Sequence, residues 1–144
     1  MPERYTLTTA PEQLGIRFKA DLHNAYQPSY NAGPAQLHPV ITALSPEGFS
    51  FFYFGTIPGW AGNKSISTRL LEVNAKDLMH KPSLKKLLQT QRCLIPADGF
   101  FIWKKVGKKS RVPYRFVMKD RGVFAIAGLL LTSIPLPRSR AYRT

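Results

Sequence analysis

Apolar and polar side chains alternate along several short stretches of this 144-residue chain and follow a helical period in only a few. Arg4 to Thr8 alternates as a half-buried strand does. In Pro11–Phe18 a proline takes the first helical position and Leu14 and Phe18 lie one turn apart, which predicts a short helix. Residues 21–38, rich in Asn, Pro, Gln and Tyr, read as an ordered loop. Pro39–Leu44 and Phe49–Phe54 flank Ser45-Pro46-Glu47-Gly48 and predict a hairpin. Gly and Pro break the pattern over residues 55–67, and one or two helices are expected from about 69 to 90, the second opened by Pro82 or Ser83. Arg92–Ala97, Phe100–Lys105, Tyr114–Met118 and Phe124–Ala127 predict four more strands. Asp98-Gly99 forms a tight corner between the first two, and Lys119–Gly122 turns between the last two. The expected fold is α+β, with mostly antiparallel strands in a curled, barrel-like sheet and a few short helices. No repeat or linker divides residues 1–129, which read as a single domain. Residues 130–144 read as an atypical tail, with no acidic residue, no clean period and the closely spaced Pro135 and Pro137.

Charge changes the picture. Twenty-one Lys and Arg face eight Asp and Glu, a formal net charge of +13 and a pI near 10.2. Such a field gathers polyanions, and the interleaving of basic with aromatic residues favours nucleic acid as the partner. Trp103-Lys104-Lys105-Val106-Gly107-Lys108-Lys109-Ser110-Arg111 reads as a hairpin tip that either grips a nucleic-acid backbone or solubilises a turn. No apolar run reaches the roughly 18 residues of a membrane span, so no membrane partner is expected. The start of the chain lacks a secretory pattern, and a single cysteine suits a reducing compartment. A cytoplasmic protein is expected, nucleoid-associated if bacterial, and a monomer. Cys93 lies in an apolar strand and reads as buried and inert. His23, His38 and His80 have no metal-ligand spacing, and neither a Cys-x-x-Cys pair nor a phosphate-binding glycine loop is present. No metal and no cofactor are expected.

Several strings, in order, carry more specific information. Arg92-Cys93-Leu94-Ile95-Pro96-Ala97-Asp98-Gly99-Phe100-Phe101-Ile102-Trp103 is the longest. Around it stand Arg4-Tyr5, Tyr30-Asn31 with Pro34, Pro39-Val40, Phe54-Gly55-Thr56-Ile57-Pro58-Gly59-Trp60, Arg69, Lys81-Pro82-Ser83 and Phe124-Ala125-Ile126-Ala127-Gly128-Leu129. Together, over about residues 4–129, they resemble the SOS-response-associated peptidase (SRAP) family, whose members sense abasic sites in single-stranded DNA. The resemblance implies a single-stranded DNA partner and places Arg4, Asn31, Phe54, Trp60 and Arg69 among the nucleic-acid contacts. Phe54 and Trp60 are aromatic platforms in that reading; as core residues they would only cap the interior.

The family's chemistry uses a cysteine at position 2 as nucleophile, which closes a thiazolidine ring on an opened abasic sugar with help from an Asn, a Glu and a later His. In this chain those positions are Pro2, Ser67 at Ser67-Thr68-Arg69, and Ile102, and the His would follow residue 144. Proline supplies no thiol, and an apolar side chain neither transfers a proton nor stabilises developing charge. The resemblance therefore implies a binding protein of the DNA-damage response with impaired crosslinking and peptidase chemistry. Two other readings stay open. The Pro2 amine, in the range of α-amino groups at about 7.7–8.0, could attack a sugar aldehyde and support lyase activity. The chain could also be a truncated, non-functional remnant with a shifted frame beyond Leu129.

Overall fold

A computed structural model describes residues 4–22, 26–55 and 74–130. Eleven elements run in chain order: β1 (Tyr5–Leu7), α1 (Pro11–Phe18), β2 (Ser29–Ala32), β3 (Leu37–Thr42), β4 (Ser45–Tyr53), α2 (Ala75–His80), α3 (Pro82–Thr90), β5 (Arg92–Ala97), β6 (Gly99–Val106), β7 (Ser110–Phe116) and β8 (Phe124–Leu129). The strands form two antiparallel four-stranded sheets, ordered β2-β1-β6-β7 and β4-β3-β5-β8. The α+β class holds, but the barrel-like sheet resolves into two partly curled sheets that do not close. Strand β5 belongs to one sheet and β6 to the other, so the corner at Asp98 is where the chain changes sheets.

Tyr5, Leu7, Leu14, Tyr26, Ala32 and Ala97 form the main buried cluster, with Phe54, Phe100 and Phe124 among the partly buried side chains against it. A smaller cluster joins Val40, Cys93 and Leu130. Burial pushes the Cys93 thiol up to about 11, so the sulfur is a small apolar filler as expected. Glycine at 128 serves this packing, because a Cβ there would stand 2.8 Å from the Cys93 sulfur.

Local chemistry sets several element ends. Pro11 and Pro82 open α1 and α3 at the positions where a missing N–H costs nothing, and the Asn74 side chain accepts from the Lys76 N–H to cap α2. Three differences from the sequence reading exceed two residues. The loop over 21–38 contains β2, because Tyr5 and Leu7 pair with Ala32 and Ser29 across a bulge. The β3–β4 turn is Ala43-Leu44 rather than Ser45–Gly48. The Thr42 hydroxyl accepts from the Ser45 N–H, and Ser45–Gly48 joins the strand. Strand β7 starts at Ser110, four residues before the expected Tyr114, because Gly107 at φ +67° turns the chain tightly and zips the charged arm up to Val106↔Ser110.

Candidate nucleic-acid interface

The first sheet has two chemically distinct faces. Tyr5 pairs with Phe100 and Thr6 with Gly99, and the Phe101 N–H donates to the Arg4 carbonyl, so Arg4 stands opposite Phe101. Across β6–β7, Phe101 pairs with Arg115, Trp103 with Pro113, and Lys105 with Arg111. Opposed residues share a face and neighbours along a strand alternate. Arg4, Phe101, Trp103, Lys105, Arg111 and Arg115 therefore form one continuous basic and aromatic surface on the outer side of the sheet. The opposite face carries Tyr5, Phe100, Ile102, Tyr114 and Phe116, and its Phe100 end joins the core.

Arg4 is positioned by two neighbours. Its Nη1 donates to Asn31 Oδ1 at 3.3 Å, which ties β1 to β2 on the outer face. Gly33 leaves the space the guanidinium occupies, since a Cβ there would sit 2.7 Å from Nη1 and 3.0 Å from Cζ. Among the described residues the partner of Arg4 is a neutral amide, and no described carboxylate is paired with it. Arg115 differs: its Nη2 lies 3.4 Å from Asp98 Oδ1 and donates to the Thr6 hydroxyl at 3.0 Å, so its charge serves the fold.

Asp98 organises this end of the sheet. The carboxylate is buried and accepts from the hydroxyls of Thr6 (2.6 Å), Thr8 and Thr9 (both 3.0 Å) and from the N–H groups of Thr8 and Thr9. Burial favours the neutral acid, but the donors from Thr6, Thr8 and Thr9 outweigh it and hold the carboxyl below the usual carboxylate range. Asp98 reads from sequence as a turn residue only; the Thr6-Leu7-Thr8-Thr9 string was the available sign of an acceptor. Trp103 and Lys105 fall two apart in the expected strand, whereas their alignment with Arg111 required the register of β6 on β7, and the junction with Arg4 that of β1 on β6.

The other sequence candidates fall as follows. Asn31 meets Arg4. Phe54 is partly buried against the core, edge-on to Tyr5 (centroids 6.2 Å) and His38 (6.4 Å). Ile102 is half-exposed on the face opposite Arg4, paired with Tyr114. Pro2, Trp60, Ser67 and Arg69 lie outside the described residues, as does the tail beyond Leu130. His38 is buried, with Nε2 at 3.2 Å from the Gly33 carbonyl oxygen, which assigns the proton to Nε2; burial lowers its pKa. A groove of about 670 Å³ between Tyr26–Ser29 and Gln36–Pro39 touches neither Arg4 nor Asn31. No group of three His, Cys, Asp or Glu able to hold a metal occurs among the described residues, and no described helix is long and apolar enough to cross a membrane.

Comparison with known proteins identifies relatives of the chain. The abasic site processing proteins YobE and YoaM of Bacillus subtilis are 37% and 34% identical over 130 residues. Each match covers 88% of this chain and 59% or 57% of the relative. The chain thus spans somewhat under three fifths of the length of these relatives. A crystal structure of a Bacteroides thetaiotaomicron protein superimposes with a TM-score of 0.73 at 22% identity, over 88% of this chain and 59% of that one, which supports the same fold. The model of the SOS response associated peptidase (SRAP) family matches residues 1–139, and the chain belongs to that family.

Proposed function

We propose that the chain binds single-stranded DNA at abasic sites as part of a DNA-damage response, through the outer face of the first sheet. The observation that carries this reading is Arg4, held by the neutral Asn31 amide at the head of a surface that continues through Phe101, Trp103, Lys105 and Arg111. Cations at strand spacing suit a phosphate backbone, and the exposed Trp103 ring offers stacking worth about 1–3 kcal/mol per base. Curated relatives bear the name abasic site processing protein, among them one from Xenopus tropicalis at 30% identity over 102 residues. That name supports the lesion as the ligand's distinguishing feature.

The same proposal includes impaired family chemistry. Ile102 at the position of the family's Glu has no carboxyl to move a proton, and Pro2 has no thiol. Binding without a stable crosslink is the expected behaviour, with the chain acting as a monomer. Fluorescence anisotropy with an abasic single-stranded oligonucleotide tests the reading. Arg4→Ala is expected to weaken binding about tenfold, in line with loss of one charged hydrogen-bonding group, with an unchanged melting temperature. Equal affinity for Arg4→Ala and the parent contradicts the interface. A borohydride-trapped adduct contradicts the impaired chemistry and favours attack by the Pro2 amine.

A further inference from the structure

The start of β3 carries main-chain groups that no neighbouring strand takes up. Leu37 pairs with Tyr53 and Pro39 with Phe51 across β3–β4, and the Phe54 N–H donates to the Gln36 carbonyl. Hydrogen-bonded and non-bonded pairs alternate along an antiparallel ladder. Gln36, His38 and Val40 therefore turn their backbone groups toward β4, while Leu37 and Pro39 turn theirs to the opposite side. On that side β5 pairs with β3 only at Ile41 and Thr42. Among the described residues, the Leu37 N–H and the carbonyls of Leu37 and Pro39 thus stand on an open strand edge. Proline suits the second of these positions, because it has no N–H to leave unpaired. Both residues line the groove of about 670 Å³ whose other wall is Tyr26–Ser29.

The lining sets the class of ligand. Leu7, Tyr26, Pro28 and Phe51 are apolar or aromatic, Gln27 and Ser29 are polar and neutral, and no Lys, Arg, Asp or Glu lines the groove among the described residues. A nucleic-acid backbone finds no cation there. A compact ring molecule carries no donors that repeat at the spacing of two carbonyls along a strand. An extended peptide does, and it also presents alternate side chains to an apolar wall. The wider field adds a sign, since a net charge of +13 draws an acidic partner toward the chain. We propose that this groove binds an extended segment of an acidic protein, which lies along Leu37–Pro39 as an added strand and sets an aliphatic side chain against Leu7, Tyr26 and Phe51. The site shares neither Arg4 nor Asn31 with the nucleic-acid surface and is independent of the DNA-binding reading, so its test contains no DNA.

Amide hydrogen exchange of the nitrogen-15-labelled chain provides that test. The probe is an equimolar mixture of acetylated hexapeptides with Glu at each end and Val, Ile, Leu or Thr at the central positions. A saturating amount is expected to slow exchange of the Leu37 N–H about tenfold or more, because that group becomes a ladder donor. The same mixture N-methylated at its central residues lacks the donors for the Leu37 and Pro39 carbonyls, and its affinity is expected to fall about tenfold or more. Lys in place of both Glu residues is expected to weaken binding severalfold at low salt. Leu37→Ser, a change at a half-exposed side chain, is expected to keep the melting temperature and to weaken the Glu-ended mixture severalfold. Failure of the Glu-ended mixture to slow the Leu37 N–H overturns the proposal, as does equal affinity for the N-methylated mixture. Equal affinity for the Lys-ended mixture overturns the acidic partner. A Leu37 N–H already protected in the free chain and indifferent to the peptides overturns the site, because a segment of the chain itself would then be the occupant.

Discussion

Glycine at 33 decides whether Arg4 can lie where it does. A methyl group there would meet the guanidinium at 2.7 Å, and the far end of a long side chain yields more readily than backbone. Gly33→Ala is therefore expected to push Arg4 off Asn31 with little loss of stability. Its DNA affinity should fall to about that of Arg4→Ala, and the two changes together should cost no more than either alone, read by anisotropy as a double-mutant cycle. Affinity of Gly33→Ala equal to the parent would separate Arg4 placement from binding. His38 makes a different argument. Burial beside Tyr5 and Phe54 lowers its pKa in the folded state, so below about pH 6.5 the unfolded chain takes up the proton more readily. Stability from this group is present above that pH and is lost as pH falls through the folded value. Melting temperature should decline on acidification from pH 7 to 5, and His38→Gln should flatten that part of the curve. Neither residue's role was legible in the chain. A histidine in a β-strand gives no sign of which carbonyl it meets, and Gly33 reads as one more turn residue beside Pro34.

The corner between β5 and β6 shows how far sequence carries at the scale of elements. Its strands and its Asp-Gly bend were expected, because apolar runs on either side of turn residues have few other solutions. What the bend does was not legible, since the partners of Asp98 come from Thr6, Thr8 and Thr9, about ninety residues earlier. A carboxylate that gathers five donors from β1 and the chain after it is a clamp on the N-terminal strand, and through β1 on Arg4. Asp98→Ala leaves those five donors without their acceptor and takes the counter-charge from Arg115, at a cost of about 3–5 kcal/mol. Chemical denaturation measures it; a cost under 1 kcal/mol would show that the clamp is dispensable. Because hydrogen bonds hold this carboxyl below its ordinary range, its contribution is present above about pH 3.9 and is lost as pH falls toward the folded value. That window lies well below the one expected for His38, so the two can be separated in one titration. Strand β2 and the early start of β7 escaped the sequence reading for a related reason. Both are short or charged segments that pair only because a partner strand is already in place, and β-propensity is weak where context decides.

At the scale of the molecule, two sheets meet over a shared core and leave two surfaces of opposite character on the same arm. From Gly99 to Phe116 the arm holds Lys104, Lys105, Lys108, Lys109, Arg111 and Arg115 and no acidic residue. Its outer face carries charge and the Trp103 ring toward solvent, and its inner face carries Ile102, Tyr114 and Phe116. The overall excess of positive charge pointed to nucleic acid, but only the register placed Arg4 and the arm on one face. The direct measurement is the salt dependence of affinity for a single-stranded oligonucleotide, compared between the parent and a Lys105→Ala/Arg111→Ala pair. The log of the association constant should fall linearly with the log of salt concentration, by about 0.7 for each phosphate neutralised, and the paired variant should shorten that slope by about 1.4 while remaining folded. A parent slope near zero, or a slope the paired variant leaves unchanged, would contradict the outer face as the site of binding.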